Sequence, residues 1–304
     1  MRPGASRLAL LPVLAAAAVA GLAGQQPPFK SGVEVVRITA TVRDAEGRLV
    51  RKLLREAFEV YEDGERQPIS QFTSERVPVS LGVLLDISDS MFGSRITEAR
   101  AAIDRFLFEL LDQSDEYFIL AFNHAPNVLT GWTNNPAVVR RALEGIRPSG
   151  GTAEYDAVLA ALPLFERRTK PRASLLLVTD GADTASDATL SDVRWALLRS
   201  DAFAYAIALD PPEPRPINTI VNLQALTELT AGSGGRAEVV RNGADLIAAT
   251  AAIAEELNSQ YVLGYNAPRA PDGKFHSIRV RVTGAGYRVR ARSGYLAVPA
   301  PRKR

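Results

Sequence analysis

The chain of 304 residues contains no cysteine, two histidines and two methionines. Without cysteine there are no disulfides and no lipid-modified N-terminal cysteine. The two histidines, His124 and His276, leave little material for imidazole acid–base chemistry. Charge of one sign is also lacking: 36 Lys and Arg stand against 34 Asp and Glu, a formal net charge of +2. Basic residues alternate with acids, so no basic stripe of the kind that binds nucleic acid is present. After the first two dozen residues no apolar run approaches the length of a membrane span. A Gly-x-x-x-x-Gly-Lys phosphate loop and a Gly-x-Ser-x-Gly elbow are both missing. With 46% apolar and 23% charged residues the chain still has ample material for a packed core.

The start stands apart. Arg2 and Arg7 precede an Ala- and Leu-rich run from Leu8 to Ala23 that carries no acid. A basic beginning, a short apolar stretch and small residues predict a secretory signal over 1–24, with an uncleaved membrane anchor as the competing reading. A linker over 25–32 follows. Export without disulfides points to a bacterial envelope, periplasmic or secreted.

Residues 33–43 alternate, with Val36, Ile38, Ala40 and Val42 on one face and Arg37, Thr39, Thr41 and Arg43 on the other. That period of two predicts a half-buried strand. A second strand runs through Phe58 to Tyr61 into Asp63-Gly64, a tight-turn pair. From 79 to 258 the pattern changes. Runs at 81–87, 117–122, 175–179 and 203–209 are apolar on both faces, as strands of a helix-covered parallel sheet must be. Between them, Ile96, Ala99, Ile103, Phe106, Leu107 and Leu110 repeat at helical spacing, as do Tyr155, Val158, Leu159 and Leu162. Asn135-Pro136 reads as a helix cap with a first-turn proline, and 248–257 as a last helix. The expected fold is α/β, a doubly wound, mostly parallel Rossmann-like sheet over 79–258. Alternation returns over 260–265, 275–283 and 287–292. The segments 33–76 and 259–298 are therefore expected to pack together as a small antiparallel β subdomain. A proline-rich loop over 211–216 and a tail over 299–304 complete the chain.

Ligands of such sheets sit at the carboxyl ends of the strands. Two predicted strands deliver an acid there, Asp86 and Asp180. Ser88 and Ser90 alternate with Asp86, and Gly150-Gly151-Thr152 brings a hydroxyl from a third loop. Carboxylates and hydroxyls are hard donors, suited to Mg²⁺, Mn²⁺ or Ca²⁺. Taken singly, each fragment is an ordinary turn or helix start; arriving in order at one sheet edge, together they make a cation site. A haloacid-dehalogenase-type phosphatase would need a second Asp where Ser88 stands. His124 follows a strand near this edge and reads as a surface-loop histidine.

The segments Val83 to Met91, Gly150-Gly151-Thr152 and Leu177 to Gly181 resemble the metal-ion-dependent adhesion site of von Willebrand factor A domains. That resemblance implies direct or nearly direct metal contacts from Ser88, Ser90 and Thr152. It implies that Asp86 and Asp180 act directly or through water. Asp89 departs from the pattern, where the family often has Gly; the extra acid would tighten cation binding, weaken acidic partners, or simply face solvent. The flanking tokens Phe58 to Gly64, Tyr155-Asp156-Ala157, Tyr261 to Tyr265 and Ser293-Gly294-Tyr295 are similar to VWFA-related proteins of Acidobacteria. Two carboxylates and neutral hydroxyls leave a divalent cation incompletely neutralised. The expected function is non-enzymatic binding of a protein partner that presents a carboxylate, with Mg²⁺, Mn²⁺ or Ca²⁺ as the bridge. The alternatives are a structural module whose cation only stiffens the sheet edge, and metal-assisted hydrolysis, which lacks an evident base.

Overall fold

The computed structural model describes residues 35–210, 220–284 and 286–298. The expected signal segment, linker, proline-rich loop and tail lie outside them. All the described residues belong to one unit, Glu34–Arg304.

The described residues open with β1 (Val35–Arg43), β2 (Phe58–Glu62), β3 (Glu65–Gln67) and β4 (Ile69–Thr73). Asp63 and Gly64 take positive φ, 49° and 87°, the twist that a two-residue hairpin between β2 and β3 demands. The α/β layer follows. It runs β5 (Val79–Asp86), α1 (Ser94–Arg105), β6 (Glu116–Phe122), β7 (Pro126–Thr133), α2 (Pro136–Glu144), α3 (Glu154–Ala161) and β8 (Arg172–Thr179). It continues through α4 (Leu190–Arg199), β9 (Phe203–Leu209), α5 (Leu223–Ala231), β10 (Arg236–Val240) and α6 (Gly243–Leu257). The strands β11 (Tyr261–Asn266), β12 (Phe275–Val282), β13 (Arg288–Ala291) and β14 (Gly294–Leu296) close the chain.

The central sheet has the order β10-β9-β8-β5-β6-β7. Its pairs are parallel except for β6 with β7, which is antiparallel. Every residue of β5, β6, β8 and β9 is buried, because helices cover both faces. Ile96, Ala99 and Ile103 of α1, Val139 of α2 and Ile253 of α6 pack on one face. Val158 of α3, Val193 and Leu197 of α4 and Leu226 and Leu229 of α5 pack on the other. The doubly wound, mostly parallel α/β architecture expected from the apolar runs is the architecture observed.

Local details differ from the periodicity reading. The helical run through Leu110 changes to a π-helical turn over Phe106–Leu110 after α1. Pro163 ends α3, as a proline in that run is expected to, and a 3₁₀ segment, Leu162–Arg167, follows. The last helix begins at Gly243 rather than 248, capped by the Asn242 side chain on the Asp245 N–H. β7 and β10 carry no strong periodic signal and are not expected, whereas α5 ends at Gly232, where the glycine-rich run Gly232 to Gly235 reads as a helix-ending turn.

The remaining strands form two further sheets, ordered β13-β1-β11-β4 and β14-β12-β2-β3. Val36, Ile38, Ala40 and Val42, the face anticipated for β1, are all buried in one cluster with Phe58, Val60, Tyr261, Leu263, Tyr265 and Ile278. Strands from both ends of the chain thus share a core. Glu256 of α6 ties that core to the α/β layer. Its buried carboxylate accepts Arg43 Nη2 at 3.0 Å and the Tyr205 hydroxyl at 2.8 Å, and also pairs with Arg290.

Candidate metal centre

β5 lies between β6, which follows it in sequence, and β8 on its other side. The loops leaving the carboxyl ends of β5 and β8 therefore diverge and open a crevice, the place where such sheets bind ligands. Asp86 is the last residue of β5 and is fully buried. Its Oδ1 accepts the Ser88 N–H at 2.8 Å and its Oδ2 accepts the Thr179 hydroxyl at 2.7 Å. The carboxylate thereby fixes the turn that presents Ser88 and Ser90. Ser88 Oγ and Ser90 Oγ are 3.0 Å apart, and Ser90 Oγ donates to Asp180 Oδ1 at 2.6 Å.

The third loop is clipped to the first by its backbone. The Ser149 N–H donates to Ile87 O at 2.8 Å, and the Asp89 N–H to Gly150 O at 2.9 Å. Gly150 takes φ +79°, and a Cβ there would sit 3.0 Å from His124 Nδ1. Thr152 is buried. Its N–H donates to Thr184 Oγ1 at 3.1 Å, and its carbonyl accepts the Thr184 and Ala185 N–H groups at 2.9 and 3.1 Å. The structure thus gathers Asp86, Ser88, Ser90 and Asp180 into one hydrogen-bonded chain and sets Thr152 on a loop fastened to it. His124 is exposed against Gly150. Asp89 is also exposed, in keeping with a solvent-facing side chain.

Electrostatics favour a cation here. Burial pushes the Asp86 carboxyl up to about 6, helped by the Asp180 charge and opposed by the bonds from Thr179 and Ser88. Burial likewise pushes Glu154, at the start of α3, well above the usual carboxylate range, with Asp183 and Asp86 adding to it. Confined acids of this kind are relieved by a positive charge. The donor set fits an oxygen-seeking ion. Six-coordinate Mg²⁺ at roughly 2.1 Å places adjacent oxygens about 3 Å apart. The two serine hydroxyls stand at that spacing.

Residues 81–182 match the von Willebrand factor type A domain family. This part of the chain is a von Willebrand factor type A (VWA) domain. Over 133 residues the chain is 28% identical to inter-alpha-trypsin inhibitor heavy chain H2 of Mus musculus, covering 39% of this chain and 14% of that protein. It therefore spans only a small part of that relative's length. A von Willebrand factor type A structure from Catenulispora acidiphila has a TM-score of 0.53 at 12% identity, covering 87% of this chain and 75% of that one. An aerotolerance-related membrane protein from Bacteroides fragilis has a TM-score of 0.50 at 21% identity, covering 59% of this chain and 98% of that one. At these identities the structural likeness speaks to fold.

Three residues around the candidate site escaped the sequence reading. Thr179 reads as one more strand residue, yet its hydroxyl holds Asp86. Glu154 reads as an acid in a helix's first turn, where acids are common, and only the fold buries it. Arg95 sits in the first turn of α1. Its Nη1 donates to Ser90 O at 2.6 Å and to Asp180 Oδ2 at 3.2 Å. No spacing rule links an arginine to an acid 85 residues away.

Proposed function

We propose that this chain is an exported, non-enzymatic binding module whose VWA domain engages an acidic group of a protein partner through a divalent cation. VWA domains are often protein–protein interaction modules, and this reading takes that general role to a particular site. The observation that carries it is the run of hard oxygens Ser88 Oγ, Ser90 Oγ and Asp180 Oδ1, at 3.0 and 2.6 Å, in an acidic crevice.

Ser88, Ser90 and Thr152 would hold Mg²⁺, or Mn²⁺ or Ca²⁺, directly. Asp86 and Asp180 would do so directly or through water. The bound cation would supply an incompletely neutralised positive centre that a carboxylate can ligate in place of a water. Arg95, beside Asp180, adds a further positive charge facing an incoming acid. Next to the site lies a groove of about 490 Å³ lined by Asp89, Ser90, Phe92, Arg95, Glu98 and Arg241. Phe92 is 77% exposed there. A large apolar side chain standing in solvent beside a charged centre suits a partner's contact surface. Among the described residues no helix is long and apolar enough to cross a membrane. Export rests on the basic and apolar N-terminal segment.

Two measurements on the full chain test the reading. Thermal-shift titrations with Mg²⁺, Mn²⁺ and Ca²⁺ should stabilise wild type and fail to stabilise Ser88→Ala and Thr152→Ala. Capture of envelope proteins on immobilised chain should need the cation, be eluted by EDTA, and be lost in the same variants. Equal shifts in wild type and Ser88→Ala would sink the site. Cation-dependent stability with cation-independent capture would instead make the metal a structural stiffener.

A further inference from the structure

A second cluster of ligating side chains lies in the β subdomain, away from the VWA crevice. Glu62 ends β2 and Asp63 begins the turn after it. β12 pairs with β2, setting Ile278 opposite Glu62, and the Asp63 N–H donates to Ser277 O at 3.0 Å. His276 is thereby brought beside both acids from 213 residues away.

The Glu62 side chain is fully buried. Its Oε2 accepts the Tyr265 hydroxyl, and the Tyr295 hydroxyl at 3.3 Å. Its Oε1 is buried with no hydrogen-bond partner, 3.9 Å from His276 Nδ1. Arg269 Nη2 stands at 3.6 Å from that oxygen and 3.7 Å from Asp63 Oδ2, too far to hydrogen-bond either. Arg269 supplies that oxygen with charge at ion-pair distance but with no hydrogen bond, and a buried carboxylate oxygen without a close partner is costly.

The buried imidazole is already oriented for such a role. His276 Nε2 lies 3.0 Å from Asp272 Oδ1, and Nδ1 lies 2.7 Å from Asp63 Oδ2. With Nε2–H donated to Asp272, Nδ1 turns a lone pair toward Asp63 and Glu62. Two acceptors at that separation repel unless a positive charge sits between them, either a proton or a metal ion. A carboxylate on the far ring nitrogen is also the outer partner that metal-binding histidines usually have.

We propose that Glu62, Asp63 and His276 form a second divalent-cation site, for Zn²⁺ or a similar transition ion, oriented from behind by Asp272. The three ligand atoms all lie within 4.8 Å of one another. Ligands at roughly 2.0–2.2 Å from a shared Zn²⁺ end up about 3–4 Å apart. Receiving the ion needs His276 Nδ1 and Asp63 Oδ2 to part from 2.7 Å, Glu62 Oε1 to draw in from 3.9 Å, and the half-exposed Arg269 to withdraw. Two carboxylates attract the ion, and a neutral imidazole favours a borderline metal over Mg²⁺. This site is independent of the oxygen-only crevice of the VWA domain.

The test is equilibrium dialysis of the full chain against Zn²⁺ alone, with Co²⁺ absorption as a probe of coordination. Ser88→Ala should leave the Zn²⁺ equivalent at this site intact. His276→Ala should abolish it together with the Co²⁺ signature, and Asp272→Asn should weaken it by about 10- to 100-fold. Asp272 is partly exposed, so its variant should stay folded, and circular dichroism checks both. Binding that survives His276→Ala would overturn the proposal. So would absence of Zn²⁺ binding together with an NMR-observed Nδ1–H proton, which would make the charge between the groups a proton only.

Discussion

Arg95 offers the sharpest test of the crevice's electrostatics. Its guanidinium lies 3.2 Å from Asp180 Oδ2, so it shares an acid with any cation held by Ser90 and Asp180. Arg95→Gln removes a positive charge and keeps a side chain of similar reach. With about 6 Å between guanidinium and cation and a water-like dielectric of roughly 80, charges of +1 and +2 repel by about 1.4 kcal/mol. That is about tenfold in Kd. A drier crevice raises the figure, and rotation of the partly exposed guanidinium into solvent lowers it. Isothermal titration with Mg²⁺ at low ionic strength should thus show Arg95→Gln binding about tenfold more tightly than wild type. The gain should shrink with added salt. Arg241→Gln, an exposed neighbour on the same groove, should give a smaller effect. Unchanged or weaker Mg²⁺ binding in Arg95→Gln would refute the reasoning and make Arg95 an organiser of Asp180 rather than its competitor for charge.

Three further outcomes concern the frame. Glu256→Ala should cost about 3–5 kcal/mol in urea unfolding, because it strands Arg43 and Arg290 without their buried partner; a loss below 1 kcal/mol would disprove its bridging role. Gly235→Ala should be destabilising by about 3 kcal/mol or more, since its Cβ would fall 1.6 Å from the Ala204 carbonyl oxygen and backbone must move; a wild-type melting temperature would contradict this. Burial raises the Glu116 carboxyl, but hydrogen bonds from Ser80 Oγ, the Thr169 N–H and Thr169 Oγ1 outweigh it and hold it below 4.5. A depressed folded-state value means that this stabilisation is complete above about 4.5 and is lost as pH falls through the folded value. The stability gap between wild type and Glu116→Gln should therefore narrow below that pH, and a gap that widens on acidification would reverse the assignment.

What the sequence could determine was whatever is written locally. Apolar runs on both faces marked β5, β6, β8 and β9, since strands covered by helices on both sides have no polar face to show. Asp63-Gly64 marked a hairpin because few residue pairs tolerate positive φ. Asp86, Ser88 and Ser90 were visible as a group because they stand two apart at a strand end. β7 was hidden: Gly131 and half-exposed residues interrupt its pattern, and its antiparallel edge position does not require burial on both faces. β10, an edge strand at the other side of the sheet, was hidden for the same reason. Tertiary structure alone decided which distant groups meet. It set Thr179 on Asp86, Arg95 on Asp180, Glu154 beside Asp86 and Asp183, and His276 between Asp63 and Asp272. Periodicity reports which face a residue takes within its own element. Charge, burial and ligation depend on what the other elements bring to that face, and that information is spread over more than 200 residues of chain.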